Sequence, residues 1–234
     1  MTKKFIKTMI IIIIVLTIIF VLFKILNVQS IVLKKIYPTN YKEYVEEYSK
    51  QNNVDEYMIY AIIKAESNFK PNVKSKSNAI GLMQLLEDTA IEMSNTVSKQ
   101  KITEDGLYDP ETNIKLGTSY YSYLLKHYKG NNILALTAYN AGMGNVDNWI
   151  KKGVIKSDGT DIENIPYKET NNYVRKILRD YKFYVKLYEN INWHNSAIVI
   201  KFMHRFFYFI GNSDKDFCRQ SGNFAKSLST LKWR

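Results

Sequence analysis

The sequence predicts a mainly α-helical domain preceded by one N-terminal transmembrane helix. Three observations lead there. An uncharged apolar run from Thr8 to Phe23 fills the amino end. The text from Tyr37 to about residue 189 divides into segments with helical spacing of apolar residues and recognisable caps. The alternation that marks strands is scarce, and no Asn-Gly or Asp-Gly turn joins two alternating segments. With 234 residues and 46% hydrophobic content, the chain is long enough for one ordinary domain plus appendages. The expected organisation is an N-terminal tail, anchor and connector over 1–37, a helical domain over 38–189, and a basic tail of unknown role over 190–234.

The apolar run covers sixteen residues, short of the ~20 that a spanning helix needs. Extended from Phe5 to Leu26 it covers 22, roughly 33 Å at the helical rise, with Lys7 and Lys24 able to snorkel. The run has no polar face, which argues against a helix of a soluble domain. An uncleaved membrane anchor is favoured over a removed secretory signal, whose best cleavage site is the weak Val28-Gln29-Ser30. Lys3, Lys4 and Lys7 on one side nearly balance Lys24, Lys34 and Lys35 on the other, so the count of flanking charges leaves orientation almost tied. For so short a tail the amino end inside is the usual outcome.

Within the domain, "YKEYVEEYSKQ" reads as a first helix, and Asp55 as the N-cap of "EYMIYAIIKAES". Asp88-Thr89-Ala90 belongs to a third helix, and Asp109-Pro110-Glu111 opens a fourth with proline at its first position. "NILALTAYNAG" ends on Gly142 as C-cap, and "KETNNYVRKILRDYKFYVKLY" is a long last helix. Asp158-Gly159 lies in a polar loop. Nothing repeats at a fixed period, and there is no low-complexity linker. Past Asn190, "AIVIKFMHRFFYFI" is too short and too charged to span. It places Lys201, His204, Arg205 and Tyr208 on one helical face, as a basic interfacial helix would; an unselected tail is the equal alternative.

The formal charge of +11 belongs to the ends. Thirteen of the 33 basic residues and two of the 22 acidic ones fall in 1–37 and 190–234, leaving 20 of each in between. A domain without excess positive charge is a poor nucleic-acid binder, so no nucleic-acid partner is expected. Cys218 is the only cysteine, which rules out an intrachain disulfide. His127, His194 and His204 are widely separated, so neither a metal nor another cofactor is expected. Oligomeric state is not legible.

One carboxylate carries the chemistry. Ile59, Ile62, Ile63 and Glu66 stand at i, i+3, i+4 and i+7, which puts Glu66 on the apolar face at the helix's C-terminal end. Burial and the negative end of the helix both disfavour its charged form, so it should titrate high and serve as a general acid. A glutamate facing water at the edge of the stripe is the plain alternative. Ser75 and Ser77 follow nine and eleven residues later in a polar loop, before Gly81 admits a close backbone approach. Their hydroxyls face either the acid or solvent. Glu87, Asp88 and Glu92 read as a solvated face rather than as a second catalytic carboxylate.

Glu66-Ser67, "SKSNAIGLMQ" at 75–84, "AYNAG" at 138–142 and "ETNNYV" at 169–174 together resemble the catalytic domain of the lytic transglycosylases related to the soluble enzyme and to goose-type lysozyme. The resemblance covers roughly residues 40–189. It implies a lysozyme-like helical fold and cleavage of the β-1,4 bond between N-acetylmuramic acid and N-acetylglucosamine, with peptidoglycan strands as partner and the domain outside the membrane. Secretion after signal cleavage is the alternative location. By the resemblance, Glu66 is the single catalytic acid and base, Ser75 and Ser77 orient the acid and the sugar, and Met83 and Gln84 line the saccharide groove. It further implies that Tyr139 and Asn140 shape the glycan site and that the Tyr173 hydroxyl lies near Glu66. The plainer alternatives are Tyr139 in the core, Asn140 capping the turn at Gly142 and Met83 as apolar filler. No second carboxylate is needed, because the substrate's N-acetyl group and 6-hydroxyl supply what ordinary glycosidases take from one. The rival functions are a goose-lysozyme-like hydrolase of the same bond and a non-catalytic glycan-binding scaffold of a cell-envelope apparatus.

Overall fold

The computed structural model describes residues 3–97 and 102–189. Its helices are α1 (Lys3–Ile36), α2 (Lys42–Asn52), α3 (Glu56–Glu66), α4 (Glu87–Val97), α5 (Pro110–His127), α6 (Asn132–Ala141), α7 (Met143–Lys151) and α8 (Lys168–Tyr188). Two short 3₁₀ turns, Asp105–Tyr108 and Ile162–Asn164, interrupt the connections. Among the described residues no strand forms; isolated bridges join Lys74 to Ile80 and Ile80 to Leu85. The basic face of Lys201, His204, Arg205 and Tyr208 lies outside the described residues.

The core forms around α3. Met58 to Ile63 are buried without a break, so this helix is enclosed on every side, as its unbroken apolar text requires. Helix α2 packs on α3 and α5, α5 on α4 and α6, and α6 on α7. Ile114, Leu116 and Leu124 of α5, Leu134 and Leu136 of α6, and Val174 and Ile177 of α8 complete the interior. The expected caps are in place: Asp55 Oδ1 accepts from Tyr57 N at 2.8 Å, and Asp109 Oδ2 from Thr112 N at 2.9 Å. Gly142, at φ 84, closes α6. Helix α7 was not expected; it begins directly on that glycine, and its text "MGNVDNWIK" sets Met143, Val146, Trp149 and Ile150 on one face.

Helix α1 runs on past the expected span. Its residues from Lys4 to Phe23 are long and apolar enough to cross a membrane and are exposed throughout. The helix continues to Ile36 and ends in a built joint. Lys64 of α3 donates to the Ile36 carbonyl at 2.8 Å, and Tyr184 of α8 to that of Pro38 at 2.9 Å. The ring of Tyr37 stacks on Phe183 at 5.2 Å and meets Tyr184 edge-on at 5.4 Å.

Candidate active site

Four segments converge: the C-terminal end of α3, the loop between α3 and α4, the end of α6 and the start of α8. The last bonds of helix α3 are those of Ser67, whose amide and hydroxyl both donate to the Ile63 carbonyl at 3.1 and 3.2 Å. Asn68 and Phe69 then adopt left-handed backbone, at φ 51 and 62. Two such residues in succession are costly; burial of Phe69 against Tyr60, ring centroids 6.4 Å apart, helps hold them.

Glu66 is half-buried at the helix end. The Tyr173 hydroxyl of α8 donates to its Oε1 at 2.6 Å. Desolvation pushes the carboxyl up to about 7, against the bond from Tyr173 and the charge of Lys176, which both favour the carboxylate. The helix terminus does not act as expected from the sequence: Lys176 donates to the Ala65 carbonyl at 3.3 Å, placing a cation where the bare helix end would repel a carboxylate. Burial and the Glu66 charge in turn hold the hydroxyls of Tyr173 and Tyr139 well above the usual tyrosine range. A half-protonated carboxyl near neutral pH can both give and take a proton.

The remaining motif residues organise the walls. Ile80 and Leu85 exchange backbone bonds at 2.9 and 3.0 Å, closing the loop Gly81-Leu82-Met83-Gln84. Leu82 and Met83 are driven wholly into the core, and the Met83 carbonyl accepts from the Tyr139 hydroxyl at 2.8 Å. Gln84, at φ 49, folds its amide back onto the carbonyls of Gly81 and Val73, at 2.8 and 3.2 Å. Ser75 Oγ accepts from the Ala79 amide at 3.0 Å, bracing its own loop, while Ser77 is exposed. Tyr139 is half-buried, its ring 5.2 Å from that of Tyr120. Asn140 is exposed and its Oδ1 accepts from the buried Thr170 hydroxyl at 2.7 Å. The third and fourth motifs, at 138–142 and 169–174, therefore touch through Thr170 and Asn140.

Asn113 was not singled out from the sequence. It is wholly buried in α5 and satisfies every polar atom of its amide: Nδ2 donates to the carbonyls of Leu107 and Ile80 at 2.8 and 2.9 Å, and Oδ1 accepts from Met83 N at 2.8 Å. A signal was available, because Asn113 occupies the stripe of Leu116, Gly117, Tyr120 and Leu124 at i, i+3, i+4, i+7 and i+11. A polar residue on such a stripe has to find partners inside.

Residues 43–161 match the model of the Transglycosylase SLT domain. The soluble lytic murein transglycosylase of Escherichia coli is 35% identical over 148 residues, covering 62% of this chain and 23% of that protein. A membrane-bound lytic murein transglycosylase C of Edwardsiella ictaluri is 39% identical over 116 residues, covering 45% of this chain and 32% of that protein. A solved structure, an inactive glutamate-to-glutamine mutant of the lytic transglycosylase Slt of Pseudomonas aeruginosa, superposes with a TM-score of 0.59 at 33% identity, over 64% of this chain and 25% of that one. The chain thus spans about a quarter to a third of the length of these relatives. The mainly helical, lysozyme-like fold expected from the sequence is the fold found. With more than half of its length matched, the chain belongs to the Transglycosylase SLT domain family.

Proposed function

We propose that the protein is a membrane-anchored peptidoglycan lytic transglycosylase, with Glu66 as its one acid and base. The observation that carries this reading is the half-buried Glu66 carboxyl, pushed up to about 7 and held by the Tyr173 hydroxyl at 2.6 Å. In the first step protonated Glu66 gives its proton to the glycosidic oxygen as the bond to the anomeric carbon of N-acetylmuramic acid breaks. The carbonyl oxygen of the sugar's own N-acetyl group closes on that carbon and neutralises it. In the second step the 6-hydroxyl attacks the anomeric carbon, the N-acetyl oxygen leaves, and Glu66 takes the hydroxyl proton. The enzyme returns to its starting state, and the product carries a 1,6-anhydro end. A tethered hydroxyl at high effective concentration replaces a water activated by a second carboxylate.

In this reading Tyr173 steadies Glu66 between its two protonation states, and Asn140, exposed yet oriented by Thr170, presents its amide to the glycan. Ser77 faces the sugar, while Ser75, Gln84 and the Met83 carbonyl hold the wall against which Tyr139 stands. The domain over 38–189 works outside the membrane, on the side of its substrate. Support comes from the long apolar α1 and from the membrane-bound relative.

Mass spectrometry of products from purified sacculi tests the reaction. Anhydro ends, one water lighter than hydrolysed ends, are expected from the full chain and absent with Glu66→Gln. Reducing ends alone would make the protein a goose-lysozyme-like hydrolase, and glycan binding without cleavage would make it a scaffold.

A further inference from the structure

We infer that Asn113 is a positioning residue for the active site, acting through the backbone of Met83 on Tyr139. This rests on the reading of Glu66 given above. The Met83 backbone stands between two helices: on one side its N–H donates to Asn113 Oδ1 of α5 at 2.8 Å, and on the other its carbonyl accepts from the Tyr139 hydroxyl of α6 at 2.8 Å. The two groups flank one residue within the four-residue loop closed by Ile80 and Leu85; they belong to consecutive peptide units that meet at the Met83 Cα, so a displacement of this residue is felt by both bonds. Asn113 also holds the loop's base, through the Ile80 carbonyl at 2.9 Å. Tyr139 stands in the field of Glu66, whose charge acts on its phenol. A chain of two hydrogen bonds therefore runs from a buried amide in α5 to the Tyr139 phenol in α6.

The fit around this chain leaves little slack. A Cβ on Gly81 would lie 2.2 Å from Asn113 Nδ2, and one on Gly117 would lie 2.5 Å from Met83 Sδ and 2.8 Å from its Cβ. Both glycines admit the approach of Met83 and Asn113, and neither touches Glu66 in the network described.

The test is a double-mutant cycle in the full, detergent-solubilised chain with Asn113→Ala and Tyr139→Phe. Turnover on purified sacculi is read alongside the titration of Glu66 by carbon-13 NMR. Each single change is expected to lower kcat about tenfold, the scale of one lost hydrogen bond, with KM nearly unchanged. The double variant should be no slower than the slower single one, and Asn113→Ala should move the Glu66 midpoint in the same direction and by the same amount as Tyr139→Phe. Effects that multiply, with a Glu66 midpoint unmoved in Asn113→Ala, would overturn the inference. Should Asn113→Ala fail to fold, Gly117→Ala displaces Met83 while leaving the amide in place; independence of its effect from Tyr139→Phe overturns the inference equally. If the native protein releases no product, the enzymatic reading fails, and coupled Glu66 titrations still decide the role of Asn113.

Discussion

In the reaction proposed above, Glu66 must be buried enough to keep its proton near neutrality and still open to a sugar, and the folded state carries the cost of that compromise. Its carboxyl rises from 4.5 to about 7 on folding. A group raised in this way contributes fully below its unfolded value, and the contribution is lost as pH rises through 4.5 toward 7. Replacement by glutamine removes the ionisation, so Glu66→Gln should match the native protein at pH 4 and exceed its stability at pH 8 by on the order of 2–3 kcal/mol. Denaturant melts of both proteins at the two pH values check this; equal stability at pH 8 would mean that the carboxyl is not desolvated. Tyr173→Phe removes a bond that favours the carboxylate, so the midpoint of Glu66 rises further. The alkaline limb of kcat/KM, where the acid loses its proton, should then move up by about one pH unit. A limb that stays or falls would separate Tyr173 from the acid. At this scale the inward aim of Glu66 was legible from Ile59, Ile62 and Ile63. The counter-charge of Lys176 was not, because its bond to Ala65 joins residues that are 111 apart in sequence.

Helix ends were read well where a side chain announces them: Asp55, Asp109 and Gly142 each stand where local chemistry requires a cap. Helix α7 was missed because no loop separates it from α6: it begins directly on Gly142, the residue read as the end of that helix. The loop of residues 81–84 shows the limit of local reading. Gly81 announces a close approach, but only the fold supplies what approaches, the Asn113 amide and the Leu107 carbonyl. That gives a prediction at this scale. Gly81, at φ 80, would take a Cβ into contact at 2.2 and 2.5 Å. Gly81→Ala should therefore cost about 3 kcal/mol, from left-handed strain and overpacking together. Chemical denaturation of the full chain measures it, and a loss below 1 kcal/mol would mean that the loop yields freely. Asp55 has a double attachment, capping α3 and accepting from the Tyr181 hydroxyl of α8 at 2.7 Å. Asp55→Ala should cost about 2 kcal/mol in the same denaturation, more than an ordinary cap, because the bonds from the Tyr57 amide and the Tyr181 hydroxyl are lost together.

At the scale of the whole chain, positive charge is in excess toward the two ends of the sequence and balanced between them. The joint at Ile36 to Pro38 bears on whether the amino end is kept. Residues 28–30, the weak cleavage site, lie within the continuous helix Lys3–Ile36, and the end of that helix is bonded to Lys64 and followed by a buried Tyr37. A chain cut after Ser30 would leave a stub of a single helical turn and a half before the joint, with exposed Ile31, Val32 and Ile36 no longer continuous with an apolar span. Retention leaves the helix whole. The protein should accordingly be recovered from the membrane fraction, resist extraction by alkaline carbonate, and yield by mass spectrometry peptides from before residue 31. A soluble product beginning at Ile31 would replace the anchor with a secretory signal while leaving the chemistry of Glu66 untouched.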